Sequence, residues 1–388
     1  MKSAGTEQQV LQWLGQSHDA MVALLRRIVD IDSGSYDKAG VDAVVAALRE
    51  FLESNGVSCE VRPNASAGNC MRAVVKDSQG SADRPVVLMG HCDTVFPKGT
   101  VAQRPFRIEG DLAHGPGVAD MKSGLVINSF VLAALAKAGA PLPLVGLYTA
   151  DEEIASPASR GFIEREVAGA RAVLNAEPAR PTGNLVTGRK GALFIEFEVS
   201  GVPAHSGVNH QEGASAIDAM CRKVLKLHGL TDYDSGTTVN VGLVSGGSSI
   251  NTVAPIAQAS VDVRFKTLDA MKAVRSRLGQ IIDEVEVPRT SARITQERNF
   301  LPLVQTPSSQ LLFETYVQAA AELGFQVDGE FTGGSADSGF TAAAGIPTLC
   351  ATGPVGGKVH TGDEWLKLAT LVPRAQAIAL TALRLAHR

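Results

Sequence analysis

The chain has 388 residues, 45% of them hydrophobic and 20% charged, with a formal net charge of −4. Its length exceeds one ordinary core, so two domains are expected. The balance is that of a soluble globular protein, and slight acidity without a long basic run argues against a nucleic-acid or anionic-membrane surface. Cys59, Cys70, Cys92, Cys221 and Cys350 are odd in number and form no CxxC pair, so they read as reduced thiols. The N-terminal MKSAGTEQQVLQWLGQ carries no apolar signal core, and no run reaches ~18 uninterrupted apolar residues. A cytoplasmic enzyme is therefore expected.

In chain order, residues 5–55 show apolar positions at helical spacing (Val10, Leu11, Leu14, then Met21, Leu24, Leu25, Ile28). Ser33-Gly34-Ser35 interrupts them before a helix over 41–52. Residues 85–89 form a short apolar run ended by Gly90, which reads as a buried strand delivering His91 and Asp93. A helix is predicted over 122–138. Strands over 142–148 and 172–174 end just before Asp151-Glu152-Glu153 and Glu177-Pro178. Strands alternating with helices imply an α/β sheet, mixed and mostly parallel, flanked by helices, with ligands at the carboxyl ends of the strands. From Gly188 the rhythm changes: strand 192–199, helix 214–230, strands 237–244 and 256–265, helix 268–285, strand 291–295. That order, β-α-β-β-α-β, is a ferredoxin-like split βαβ sandwich. The α/β pattern then resumes with a helix over 308–323, a strand over 347–351 and a closing helix from Glu364. The expected division is a catalytic domain in two segments, 1–187 and 300–388, with a domain inserted at 188–299.

The chemistry-bearing residues sit at those strand ends. His91 and Asp93 alternate on one strand and share a face, so imidazole can hold a cation while the carboxylate orients the ring. Asp120 follows the Gly115-Pro116-Gly117 turn, where it could equally cap the following helix. A dinucleotide loop is excluded there, because the third glycine of G-x-G-x-x-G would fall at position 120 and a carboxylate repels pyrophosphate. Asp151-Glu152-Glu153 is either a solvated acidic turn or a division of labour, one acid binding a cation and its neighbour taking a proton from water. Glu177 repeats the strand-end placement, and His360 lies in the Gly-rich stretch 355–360. Two histidines and three carboxylates, plus one acid as base, match the count for a paired-metal hydrolytic site.

Taken together, H-x-D at 91–93, G-P-G-x-x-D at 115–120, D-E-E at 151–153, E-P at 177–178 and His360 resemble the M20 metallopeptidase and amidohydrolase family, in particular its glutamate-carboxypeptidase branch. The resemblance spans essentially the whole chain. It implies two divalent ions, with Zn2+ first and Co2+ or Mn2+ as alternatives. Asp120 would bridge them, His91 and Glu177 completing one site and Glu153 and His360 the other. It further implies Glu152 as general base, Asp93 as the acid orienting His91, a cis peptide after Asp120, and a homodimer formed through the inserted domain.

Further segments match the family's substrate contacts. His205, in G-V-P-A-H-S-G at 201–207, would come from the partner subunit to stabilise the oxyanion. Asn251 would lie near the substrate, Arg264 would grip its carboxylate, and Gly333 and Gly334 would line the pocket through backbone groups. A bidentate grip on carboxylate wants arginine, not lysine. Arg189-Lys190 stands where glutamate-specific relatives carry smaller residues. The implied substrate is a small peptide or N-acyl amino acid cleaved beside a free carboxylate. Alternatives are an N-acyl-amino-acid deacylase of the acetylornithine deacetylase or desuccinylase type, and a non-catalytic amino-acid-binding descendant.

Overall fold

The computed structural model describes residues 2–77 and 84–386. It contains two compact units: Met1–Gly188 with Gln305–Phe331 and Phe340–Arg388, and Arg189–Val304 with Thr332–Gly339.

In the first unit, six strands form a mixed sheet in the order Ser58–Arg62, Cys70–Val75, Leu144–Thr149, Val86–His91, Ala172–Asn175, Thr348–Leu349. The first two pairings are antiparallel and the last three parallel. The centre of the sheet is buried on both faces, as parallel strands require, and Val86–His91 and Leu144–Thr149 are buried throughout. The helix Ser123–Ala138 packs on this sheet and against the helices Lys2–Gly15, Lys38–Ser54 and Leu371–Leu385. The stretch Val118–Ala138 is apolar and long enough to cross a membrane, but 94% of its most apolar window is buried inside the protein, so it serves as a core helix. Phe130 stacks at 4.4 Å on Phe51 and at 5.7 Å on Trp13, locking the helical layer.

A second, antiparallel sheet in this unit joins Gly356–Gly357, Trp365–Lys367, Leu112–His114 and Arg107–Glu109. It corrects one expectation. The helix predicted from Glu364 begins at Leu371, because Trp365–Lys367 pairs with Leu112–His114 as a strand. Residues 58–62 and 70–75, which lack a long apolar run, are also strands.

The second unit is a four-stranded antiparallel sheet ordered Thr238–Gly246, Ile256–Phe265, Gly191–Ser200, Ser291–Phe300. Leu193, Ile195, Phe197 and Val199 point to one face and share a core with Met220 and Leu227 of helix Ala216–His228 and Leu278 and Ile282 of helix Leu268–Asp283. The last strand runs to Phe300, five residues beyond the expected end. Residues 332–339 also belong to this unit, outside the expected 188–299 span. Lys190 N–H donates to the Thr332 carbonyl, and the Arg189 guanidinium to Gly334 O at 3.1 Å, which holds that segment to the start of the sheet.

Close packing between helix and strand end is strict at one point. A Cβ on Gly124 would lie 2.0 Å from the Ala176 carbonyl oxygen, just before Glu177. Gly124→Ala is expected to lower stability by about 1–3 kcal/mol, read from urea unfolding midpoints.

Candidate metal centre

The three central parallel strands end in register. His91 lies opposite Thr149, and Met89 opposite Asn175. The residues that follow each strand, Cys92-Asp93, Asp151–Glu153 and Glu177, therefore emerge on one edge of the sheet. The two remaining acid and imidazole contributors come from the antiparallel sheet: Asp120 follows Leu112–His114, and His360 follows Gly356–Gly357.

These side chains converge. His91 is 1% exposed; its Nδ1 lies 3.0 Å from the Asp93 carbonyl and 3.3 Å from Asp93 Oδ1, so that nitrogen carries the proton. Its Nε2 then faces Asp120 Oδ1 at 3.2 Å and Glu177 Oε1 at 3.7 Å. His360 Nε2 meets Asp120 Oδ2 at 3.3 Å and Glu153 Oε2 at 3.2 Å. Asp120 thus presents one oxygen to each histidine. One ligand atom each from His91, Asp120 and Glu153 lies within 4.8 Å of the others.

Buried acids in such density demand positive charge. Burial pulls the His91 imidazole down, but hydrogen bonds with Asp120 and Asp93 outweigh it and hold it well above its ordinary value. Hydrogen bonds to Asp120 and Glu153 lift His360 to about 10. Burial and the Asp120 charge raise Glu153. For Asp120 the pull of burial is overcome by hydrogen bonds from His360 and His91, and its carboxyl is lowered. The density of acids that raises both imidazoles would equally favour bound cations. Glu153 Oε1 is buried with no hydrogen-bond partner among the described residues, which leaves its lone pairs open to a cation. Mixed imidazole nitrogen and carboxylate oxygen is the donor set that zinc-like divalent ions take, so the residues fit the group.

The acids divide their work. Asp151 is fully buried and accepts from Ala158 N, Ser159 N and Ser159 Oγ, so it fixes the next turn and is not a ligand. Asp93 is also fully buried. Besides holding His91, it accepts from the backbone N–H groups of Glu152 and Glu153, each at 3.1 Å, and from Ser35 Oγ at 2.6 Å. Cys92 is buried beside the site, and desolvation pushes its thiol far up, which leaves it inert. The Asp120–Met121 peptide is cis. Ala155, Lys358 and His360 take left-handed backbone conformations (φ 70°, 52° and 63°), each costing about 1 kcal/mol that the surrounding fold must offset.

Two contributors escape a reading by sequence. Ser35 looked only like a helix breaker. Glu364, 1% exposed, accepts from Gly117 N (3.1 Å), Ala119 N (2.8 Å) and Asp120 N (2.9 Å), and so braces the turn that carries Asp120. Its partners lie some 245 residues earlier in the chain, so no local pattern marks it.

In the second unit, two groups assemble. Gly207 N–H donates to His205 Nδ1 at 3.1 Å, so the neutral ring carries its proton on Nε2. Ser206 N–H donates to the Asn251 carbonyl, and Ser249 Oγ to Asn251 Oδ1, which sets Asn251 beside the His205 loop. Arg264 is elsewhere on the sheet. Its Nε and Nη2 donate to Asp262 at 2.7 and 2.9 Å and its Nη1 to Ser335 Oγ at 3.2 Å, over the Phe194 ring. Gly333 and Gly334 lie in the turn before Ser335, where the Gly334 N–H is taken by Thr332 Oγ1 at 3.4 Å.

The sequence profile described as peptidase family M20/M25/M40 matches residues 87–384. Over 363 residues the chain is 27% identical to carboxypeptidase G2 from Pseudomonas sp. (strain RS-16), covering 92% of this chain and 86% of that protein. It is 31% identical over 343 residues to a putative succinyl-diaminopimelate desuccinylase from Mycobacterium tuberculosis, covering 84% and 88%. Among solved structures, a tripeptidase from Staphylococcus aureus has the same fold, with a TM-score of 0.77 at 19% identity over 96% of this chain and 99% of that one.

Both imidazoles are raised above their ordinary value, so a divalent ion that binds them competes with protons. Isothermal titration with Zn2+ near pH 7 should show an enthalpy that varies with the buffer's ionisation heat, corresponding to about one to two protons released. Affinity should fall as pH drops; a buffer-independent, pH-independent signal would contradict the site.

Proposed function

The chain belongs to peptidase family M20/M25/M40, and on that premise we propose a two-cation hydrolase that cleaves an amide beside a free carboxylate, releasing the C-terminal amino acid of a peptide or N-acyl amino acid. That it is an enzyme acting on amide bonds follows from the family and its relatives. The observation that carries the finer reading is the cluster of His91, Asp120 and Glu153 at one sheet edge, with Glu152 next in the chain.

His91, Asp120 and Glu177 would hold one divalent ion and Asp120, Glu153 and His360 the other. Zinc suits this donor set, with Co2+ or Mn2+ as alternatives. When bound, such a pair supplies the Lewis acidity that brings the pKa of water towards ~7 and polarises the amide carbonyl. Glu152 takes the proton from the attacking water and delivers it to the leaving nitrogen. Its backbone, tied to Asp93, keeps it beside Glu153 while the two acids take separate roles.

His205 donates its Nε2–H to the oxyanion of the tetrahedral intermediate, supplied from the second subunit of a homodimer. The edge strand Thr238–Gly246, with Leu243 and Val244 exposed, supports a second copy packing on that unit. Asn251 assists from the same loop pair. Arg264 keeps one N–H on each of Nη1 and Nη2 after its contacts with Asp262 and Ser335, which suits a fork around the substrate carboxylate, with Gly333 and Gly334 lining that side. The five cysteines are all free, which supports a reducing, cytoplasmic setting.

The 31% identical desuccinylase gives support to a second reading, deacylation of an N-acyl amino acid. The same cluster serves both, and a panel of dipeptides against N-acyl amino acids separates them. Glu152→Gln should retain the cations and lose about 10²–10⁴-fold in kcat. A variant that keeps more than a few per cent of activity would sink the base assignment.

A further inference from the structure

The loop that carries His205 has little burial to hold it. Ala204, Ala214 and Val253 are buried at its base, but residues 205–208 and 210–212 are exposed and Asn209 is half-buried. Apolar packing therefore cannot fix where the imidazole points, and hydrogen bonds must do it. One flank is tied to the neighbouring segment. His205 bridges Thr252, Ser206 N–H donates to the Asn251 carbonyl at 3.0 Å and Val253 N–H to the Ala204 carbonyl at 2.9 Å. The other flank is closed by side chains.

Asn209 closes it at two points. Its N–H donates to the His205 carbonyl at 3.1 Å, and its Oδ1 accepts the His205 N–H at 3.0 Å. Gly207 N–H already donates to Nδ1, so the backbone and one ring nitrogen of His205 are all engaged within residues 205–209. The ring is left with Nε2–H as the group it can offer. Asn209 Nδ2 donates to Glu212 Oε2 at 2.6 Å, which turns the amide oxygen towards His205. A carboxylate on one side and a backbone N–H on the other demand a side chain that donates and accepts at once. Asparagine does both, whereas aspartate at 209 would set a second negative charge against Glu212. Glu212 rides on the single turn His210–Glu212, and the carbonyls of Gln211, Glu212 and Gly213 receive the Arg289 guanidinium at 3.2, 2.8 and 2.6 Å. Arg289 does this from a left-handed backbone conformation (φ 65°), which a residue with a side chain keeps only where its surroundings hold it.

We propose that Asn209, set by Glu212 and Arg289, is the positioning residue that presents His205 Nε2–H as a preformed donor. The assignment rests on the role given above to His205 at the oxyanion and adds what aims the ring. A donor already held in place needs no reorganisation when negative charge develops. An unheld ring on an exposed loop would also sample the tautomer protonated on Nδ1, which has no donor at Nε2.

The test is a double-mutant cycle of Asn209→Ala and His205→Ala, with a dipeptide or N-acyl amino acid that the metal-loaded protein turns over. His205→Ala should lower kcat by about 10²-fold. Asn209→Ala should lower kcat by about tenfold with KM little changed. In the His205→Ala background, Asn209→Ala should cost no more than about twofold, because no ring is left to aim. Asn209→Asp should be as slow as Asn209→Ala. Adding Glu212→Gln to it should bring kcat back to within about threefold of the wild type, since the new amide then donates to the new carboxylate. A readout without turnover is deuterium uptake by the amides of residues 205–209, followed by mass spectrometry. Uptake should quicken in Asn209→Ala and slow again in the Asn209→Asp, Glu212→Gln pair. An unchanged kcat in Asn209→Ala, a tenfold loss repeated in the His205→Ala background, or unchanged uptake overturns the positioning role and leaves the reading of His205 standing. A His205→Ala enzyme as fast as the wild type overturns that reading and the positioning role with it.

Discussion

One buried carboxylate holds the centre together. Asp93 has no exposure, yet its oxygens receive the His91 ring, the Ser35 hydroxyl and the backbone N–H groups of both Glu152 and Glu153. A charge so far from water is tolerable only when its lone pairs are met. Meeting them draws three separate segments to one point. It also fixes which nitrogen of His91 faces the cluster and keeps the base one residue from a ligand. The geometry of the site is thus a consequence of satisfying one acid, as in metal sites where an outer carboxylate sets the ligand's tautomer.

Around that point the fold concentrates negative charge where it is hardest to bear. Three parallel strands stop in register and deliver acids to one edge, while the antiparallel sheet brings Asp120 and His360 to meet them. Glu364 braces the Asp120 turn with three backbone hydrogen bonds, and Asp151 braces the turn after Glu153. The supporting acids are as buried as the functional ones. The charge that raises both imidazoles would favour divalent cations, which would also meet the Glu153 Oε1 that has no hydrogen-bond partner among the described residues.

Much of this was legible in the sequence. Apolar runs mark the buried strands, and the strand-end rule places His91, Glu153 and Glu177 on one edge. The alternation of Leu193, Ile195, Phe197 and Val199 gave the core face of the second unit. What stayed hidden depended on long-range pairing. Trp365–Lys367 has no strand pattern of its own and becomes one through Leu112–His114. Residues 332–339 join the second unit through hydrogen bonds to Arg189 and Lys190 that no local signal announces. Glu364 looked like a helix start because its real partners are backbone groups some 245 residues earlier. Asp151 was indistinguishable from its two neighbours, since three adjacent acids look alike until burial separates the cap from the ligand.

The central claim is that Asp120 is shared, one oxygen serving each half of the cluster. Elemental analysis of metal bound after dialysis tests it most directly, comparing the wild type with Asp120→Asn and with Asp262→Asn as a remote control. Two divalent ions per chain are expected in the wild type and the control, and less than one in Asp120→Asn. A single ion in the wild type, or two retained in Asp120→Asn, would contradict a shared bridging carboxylate.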